Sequence, residues 1–369
     1  PMEDAWAAAQ QFSESLIGVS FAGDDLVADR QQLYALLDGL KTAASNFPLT
    51  TTKPPLPGRE LRATLCGFDI ALLSLLGQIY RRPLFEVLGP RRQESVSIAG
   101  VTQSLGISPG KAQQAVLKAN SNYRCVRFKI GSNAEEDLAM LRAAAMAVRS
   151  ERPELELFVD VNQGWKDADH AIEELARIRQ MLKDTQYRGR FICEQPTDEM
   201  DFEALAEVTR VTRQWAADDP FQILIMADET VWDLKDVQKL VALDAVDQIN
   251  IKIQKAGGLV ESLRMADYLA QKKPEWEVYV GGLLMTDVGA WANLQLGYCL
   301  PRLDYMTGAL PRRTNAIQPA LSPLLYKSGT RTLVPPADDG LGTELDRETL
   351  KPYLVETYQT KTKVHERKS

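Results

Sequence analysis

Three carboxylates close consecutive apolar stretches. Asp160 ends LELFVD, Glu194 ends RFICE and Asp228 ends QILIMAD, with Glu229 next to it. Lysines close two other stretches, Lys129 in CVRFK and Lys252 in DQINIK, with Lys255 three residues beyond. Carboxylates brought together repel one another unless a cation neutralises them. Oxygen-only donors favour a hard ion such as Mg²⁺, with Mn²⁺ as a substitute. Lysine is a poor base at its reference pKa of about 10.4, but burial or nearby cationic charge lowers it towards neutrality. A substrate carboxylate held on Mg²⁺ could then lose its α-proton to one lysine, pass through an enediolate and regain a proton from the other. That layout suits racemisation or epimerisation. The same groups could instead serve β-elimination or cycloisomerisation, one lysine as base and the other as electrostatic support.

These residues need a frame that brings strand ends together. From about residue 93 the chain alternates short β-branched runs with amphipathic stretches at a repeat of roughly 30 residues. The runs are SVSIAGVTQ, CVRFKIG, LELFVDVNQ, RFICEQP, QILIMADE, VDQINIKIQ, WEVYVGG and LDYMTG. Strands alternating with helices imply a parallel sheet with right-handed crossovers, and eight such units suit a (β/α)₈-type barrel. A doubly wound open sheet is the alternative, although no G-x-G-x-x-G follows the first strand. In a barrel the site lies at the C-terminal strand ends, where strands three, four and five would bring Asp160, Glu194 and Asp228 together. Strands two and six face each other across the ring, so Lys129 and Lys252 would flank that cluster. Taken singly, each residue has a plainer reading as a turn former, a helix cap or a solvated lysine. The plainer readings would have to hold at five consecutive strands.

The chain has 369 residues, a formal net charge of −7 and ordinary apolar content, which points away from nucleic-acid partners. No apolar run is expected to span a bilayer, and no signal peptide is visible, so a cytoplasmic protein is expected. Cys66, Cys125, Cys193 and Cys299 are widely spaced and read as small buried hydrophobes. Only two histidines occur: His170, expected on a helix surface, and His365 in the basic tail. Histidine-based triads, zinc sites and general bases are thereby disfavoured.

Taken in order, RFKIG, DVNQGW, CEQP, ADE and NIKIQKAGG resemble the enolase superfamily, specifically its muconate-lactonizing-enzyme branch. The resemblance runs over about residues 60 to 350, including the CGFDIALLSLLG and GLGTELD segments. It implies a modified TIM barrel, (β/α)7β, with an α+β capping domain built from both terminal segments. The expected division is residues 1–92 as capping segment, 93–320 as barrel and 321–369 packing back on the cap. The strand meander usual in the family is not expected in the N-terminal segment, either because the native chain is longer or because this is a divergent, shortened cap. The resemblance further implies Asp160, Glu194 and Asp228 as Mg²⁺ ligands and Lys129 and Lys252 as the acid/base pair. Arg127, Asn162, Glu229, Lys255 and Asp287 would support the ligands or the substrate. The expected partner is a small carboxylate, an acyl-amino acid or related acid, in a homo-oligomer with no nucleic acid or membrane. Muconate cycloisomerase, o-succinylbenzoate synthase and acid-sugar dehydratase chemistry are the alternatives, as is a catalytically silent barrel used for binding.

Three departures stand out. The branch carries Lys-x-Lys on strand two, where this chain has Arg127-Phe128-Lys129. Arginine keeps the charge but cannot act as a base. Met285 occupies a position after strand seven that is often acidic, with Asp287 two residues on. No Asp-x-Asp follows strand eight; Arg312 and Arg313 lie there instead, either as surface residues or as binders of an anionic substrate arm.

Overall fold

The computed structural model describes residues 2–50, 59–119, 123–283, 286–306, 317–318, 332–333, 338–345, 348 and 351. Met285, Arg312, Arg313, most of the 321–369 segment and the centre of the Pro- and Thr-rich loop lie outside them. The chain opens with four helices, α1 (Met2–Ser15), α2 (Leu26–Ser45), α3 (Arg62–Tyr80) and α4 (Leu84–Leu88). Then come β1 (Val96–Ser97), β2 (Gly100–Gln103), α5 (Pro109–Leu117), β3 (Cys125–Lys129), α6 (Ala134–Glu151), β4 (Glu156–Asp160), α7 (Ala168–Asp184), β5 (Arg190–Glu194) and α8 (Phe202–Trp215). The series continues through β6 (Gln222–Ala227), α9 (Leu234–Leu243), β7 (Gln248–Ile251), α10 (Ile253–Ala256), α11 (Leu259–Lys272), β8 (Glu277–Val280), α12 (Asp287–Cys299) and β9 (Tyr305–Met306). Short strands β10 (Ile317–Gln318), β11 (Thr332–Leu333) and β12 (Glu344–Leu345) follow.

Strands β2 to β9 form one parallel sheet of eight in sequence order. A parallel bridge between Ile98 and Met306 joins its two ends, and the Ala99 N–H donates to the Met306 carbonyl at 2.9 Å. The SVSIAGVTQ run is therefore two strands, not one. The interruption falls at Ile98 and Ala99, just before Gly100 opens β2, and β1 pairs antiparallel with β11 instead.

Side chains two apart on a strand share a face, so the barrel interior fills in layers. At the N-terminal end Arg190 pairs with Glu156 (3.0 Å) and Glu277 (2.7 Å), and Arg124 pairs with Glu156 at 3.1 Å. Above them Cys125, Phe158, Ile192, Met226, Tyr279 and Tyr305 make a dry layer. The next positions on the same faces are Arg127, Asp160, Glu194 and Asn250. The apolar layer shields these polar groups from water at the barrel floor.

Helix α3 corrects one expectation. Its 19 residues, with a mean hydropathy of 1.5 over 18 of them, are long and apolar enough by length and composition to cross a membrane. A core helix passes the same test. Here α3 buries Leu65, Leu73 and Leu76, and its buried Asp69 accepts the Leu259 N–H (2.8 Å) and Val260 N–H (3.3 Å) at the start of α11. Burial lifts the Asp69 carboxyl to about 7. Gly77 lets the backbone of Gly340 come close, since a Cβ there would stand 2.6 Å from the Gly340 Cα. The GLGTELD segment is held at this point, the Leu341 N–H donating to Ser74 Oγ at 3.0 Å.

The glycine pair of NIKIQKAGG joins α10 to α11. Gly258 has φ 142°, and a Cβ on it would fall 2.3 Å from Asp69 Cγ. Gly258→Ala combines backbone strain with a buried clash, so it should cost about 2–4 kcal/mol. Urea denaturation checks this; a variant within experimental error of the parent would contradict it.

Candidate active site

The site grows out of five consecutive strand ends, β3 to β7, the first and last of which face each other across the ring. Lys129 lies opposite Asp160 in the β3–β4 register, and Asp160 lies opposite Glu194 in β4–β5. Asp228 follows the last residue of β6, and Lys252 follows the last residue of β7. Asp233, not Asp228, caps α9, in a capping box with Asp236. Asp228 is thus left to the interior.

Asp160, Glu194 and Asp228 are buried, and cationic side chains occupy their oxygens. Asp160 Oδ2 accepts from Lys129 Nζ at 2.6 Å and Arg127 Nη2 at 2.5 Å. The same Arg127 nitrogen also pairs with Glu194. Glu194 Oε1 accepts from Asn250 Nδ2 at 2.7 Å. Asp228 pairs with Lys252 Nζ and, at 2.7 Å, with Lys255 Nζ, which also donates to the Asp228 carbonyl. Lys129 donates to Asn162 Oδ1, and Asn162 Nδ2 donates to Glu229 Oε1 at 2.8 Å.

The electrostatics follow from burial and these partners. Burial raises the Glu194 carboxyl well above its ordinary value, more than the Arg127 charge can offset. Burial would also raise Asp228, but the Lys255 and Lys252 ammonium groups outweigh it and hold this carboxyl far below the usual carboxylate range. Lys252 is raised despite its burial, because Asp228 and Glu194 favour its charged form. Lys255 is lowered, its burial prevailing over Asp228. Burial, then the Asp228 charge, raises Glu229.

Nine of the ten residues singled out from the sequence join one connected cluster. The tenth, Asp287, opens α12, and its side chain lies outside the described residues. Asn162 reaches the cluster by a different route from the one its spacing suggests. It lies beyond β4 in a left-handed turn (φ 47°) rather than on the strand face. His170 is half-buried, its Nδ1 accepting from the Lys166 N–H at 3.2 Å, and lies outside the cluster.

Two participants were missed. Gln195 is buried, and its Oε1 accepts the N–H groups of Asp228 (2.9 Å) and Thr230 (3.2 Å), fixing the turn that carries Asp228. Asn250 orients Glu194. Its place two residues before Lys252, on the same strand face, was the available signal.

The donor set suits a hard divalent cation. Three buried carboxyl groups converge there, and such an ion would relieve their mutual repulsion. Among the described residues, however, no three His, Cys, Asp or Glu side chains form a ready coordination shell. Arg127, Lys252 and Lys255 already bridge the oxygens that would make one.

The family model described as Enolase C-terminal domain-like matches residues 111–349. The chain belongs to that family. Among curated relatives, this enolase-like chain is 33% identical to a hydrophobic dipeptide epimerase of Enterococcus faecalis, over 55% of this chain and 51% of that protein. It is 26% identical to a chloromuconate cycloisomerase of Cupriavidus pinatubonensis over 83% of this chain and 79% of that one. The chain spans about half the length of several curated epimerases and racemases it matches. The fold is shared with a dipeptide epimerase from Enterococcus faecalis solved with Mg and the dipeptide L-Leu-L-Tyr. That comparison gives a TM-score of 0.68 at 23% identity, covering 92% of this chain and 82% of that one. These matches fall in the muconate-lactonizing-enzyme branch of the enolase superfamily.

Proposed function

We propose that this chain removes and returns the α-proton of a small carboxylate, racemising or epimerising an acyl-amino acid or related acid. One observation carries the reading: two lysines close strands four apart in the sheet order, each seated on a different carboxylate. Lys129 rests on Asp160, and Lys252 rests on Asp228. Asp160, Glu194 and Asp228 would hold Mg²⁺, which when bound acts as a Lewis acid on the substrate carboxylate. The lysines would move the proton. Lys252, held in its charged form, is set to donate. Asn162 and Glu229 fix the direction of Lys129, while Lys255 and Gln195 fix Asp228. Residues 1–92 and the 321–369 segment would form the cap over the strand ends.

Similarity to a chloromuconate cycloisomerase over most of both chains favours cycloisomerisation as the second reading. The test is Mg²⁺-dependent α-proton exchange in D₂O, read by NMR across N-acyl amino acids, dipeptides and acid sugars. Exchange without elimination supports the first reading. A product with a new double bond or ring supports the second. No exchange with any compound would overturn the racemase assignment.

A further inference from the structure

The geometry points to Arg127 as a tethered cation that occupies the divalent-ion site and must be displaced before the ion binds. This rests on the reading of Asp160 and Glu194 as metal ligands. A single nitrogen, Nη2, contacts both carboxylates, Asp160 Oδ2 at 2.5 Å and Glu194 Oε2. One positive atom shared between two such oxygens is the arrangement a bridging metal ion would make. Both cations cannot hold the same oxygens at once.

Arg127 is also held in a way that permits release. Arginine–carboxylate pairs are frequently bidentate, with two parallel hydrogen bonds to one carboxylate. Here Nη2 alone makes both ion pairs, and the buried Nε has no hydrogen-bond partner. Beneath it the guanidinium lies over the face of Phe158, 5.0 Å from the ring centroid. The side chain is 11% exposed, so it fills the interior and does not reach out to solvent. Lys129, two residues on, is 35% exposed and pairs with the same Asp160 oxygen from nearer the barrel mouth. Of the two, Arg127 alone lies between the ligand pair.

The consequence is a conformational tax on metal affinity. A site whose competent form is populated to a fraction f binds with an apparent Kd raised by 1/f. If Arg127 bridges the pair about nine-tenths of the time, the apparent Kd rises roughly tenfold. Arg127→Lys separates competition from simple charge repulsion. It keeps the positive charge but shortens the side chain, withdrawing the charged nitrogen from the point between Asp160 and Glu194 that Nη2 holds.

The experiment is Mn²⁺ titration of the full chain by isothermal calorimetry and electron paramagnetic resonance, with Mg²⁺ as competitor. Arg127→Lys should bind Mn²⁺ about tenfold more tightly or better, and its thermal midpoint should rise more on adding Mg²⁺ than the parent's does. Equal or weaker binding by a folded Arg127→Lys protein overturns the competition while leaving the carboxylate site standing. No binding by parent or variant overturns the metal site itself, and the inference with it. If Arg127→Lys does not fold, Arg127→Gln takes its place with Lys129→Gln, which removes a charge from the same Asp160 oxygen, as the control; equal tightening in both overturns the competition.

Discussion

A Lys252→Ala variant loses racemisation by about 10³-fold or more yet still exchanges the α-proton of one enantiomer. The expectation follows from the seating of the two lysines. Each rests on its own carboxylate, so removing one leaves the other in place. Lys129 keeps Asp160 and Asn162, and Asp228 keeps Lys255 at 2.7 Å, so the barrel should stay folded. With one lysine left, only the enantiomer whose α-proton faces it can be deprotonated. Lys129→Ala should show the opposite preference. Proton NMR of each enantiomer in D₂O reads both effects. If both variants lose exchange from both enantiomers equally, one lysine is electrostatic support and cycloisomerisation becomes the better reading.

Asp160→Asn is expected to weaken divalent-cation binding by roughly 10²-fold and to abolish exchange. The cluster also gives this substitution a cost in stability. Asp160 accepts from Arg127, Lys129 and the Asn162 N–H (3.0 Å), all around a fully buried carboxylate. Asparagine keeps an acceptor but removes the charge facing two cations, for a loss of about 1–3 kcal/mol. Calorimetric Mn²⁺ titration and thermal unfolding test the two halves separately. Undiminished binding would remove Asp160 from the ligand set.

Much of this site was legible because strands alternate faces and parallel barrels gather their strand ends. Asp160, Glu194 and Asp228 could be placed together from their positions at the ends of consecutive apolar runs. Arg127 was legible as a charge but not as an occupant. Its depth follows from lying two residues below Lys129. Which oxygens its nitrogens reach depends on side-chain conformations that no spacing encodes. Asn162 was misplaced for a related reason. The chain leaves β4 in a left-handed turn, a conformation an asparagine tolerates but does not announce. Gln195 escaped notice because it acts on backbone N–H groups of the neighbouring strand end, a partnership that exists only once β5 and β6 are side by side. The break after Ser97 within SVSIAGVTQ is likewise set by tertiary pairing, since β11, which claims Val96 and Ser97, comes more than two hundred residues later.

The seam between Met306 and Ile98 has a consequence for how the ring breathes. Strands β3 to β6 pair over most of their length, whereas β9 contributes two residues, and among the described residues one bridge past them fastens the ring. Local opening will start at that fastening, where the fewest backbone hydrogen bonds must part. Asp160 and Glu194 stand on the best-paired arc, and Gln195 ties Asp228 to it. The barrel can therefore unclasp and reclose on one side while Asp160, Glu194 and Asp228 keep their spacing. A substrate would meet carboxylates held on a firm arc, with Lys252 set just beyond the two-residue β6–β7 pairing.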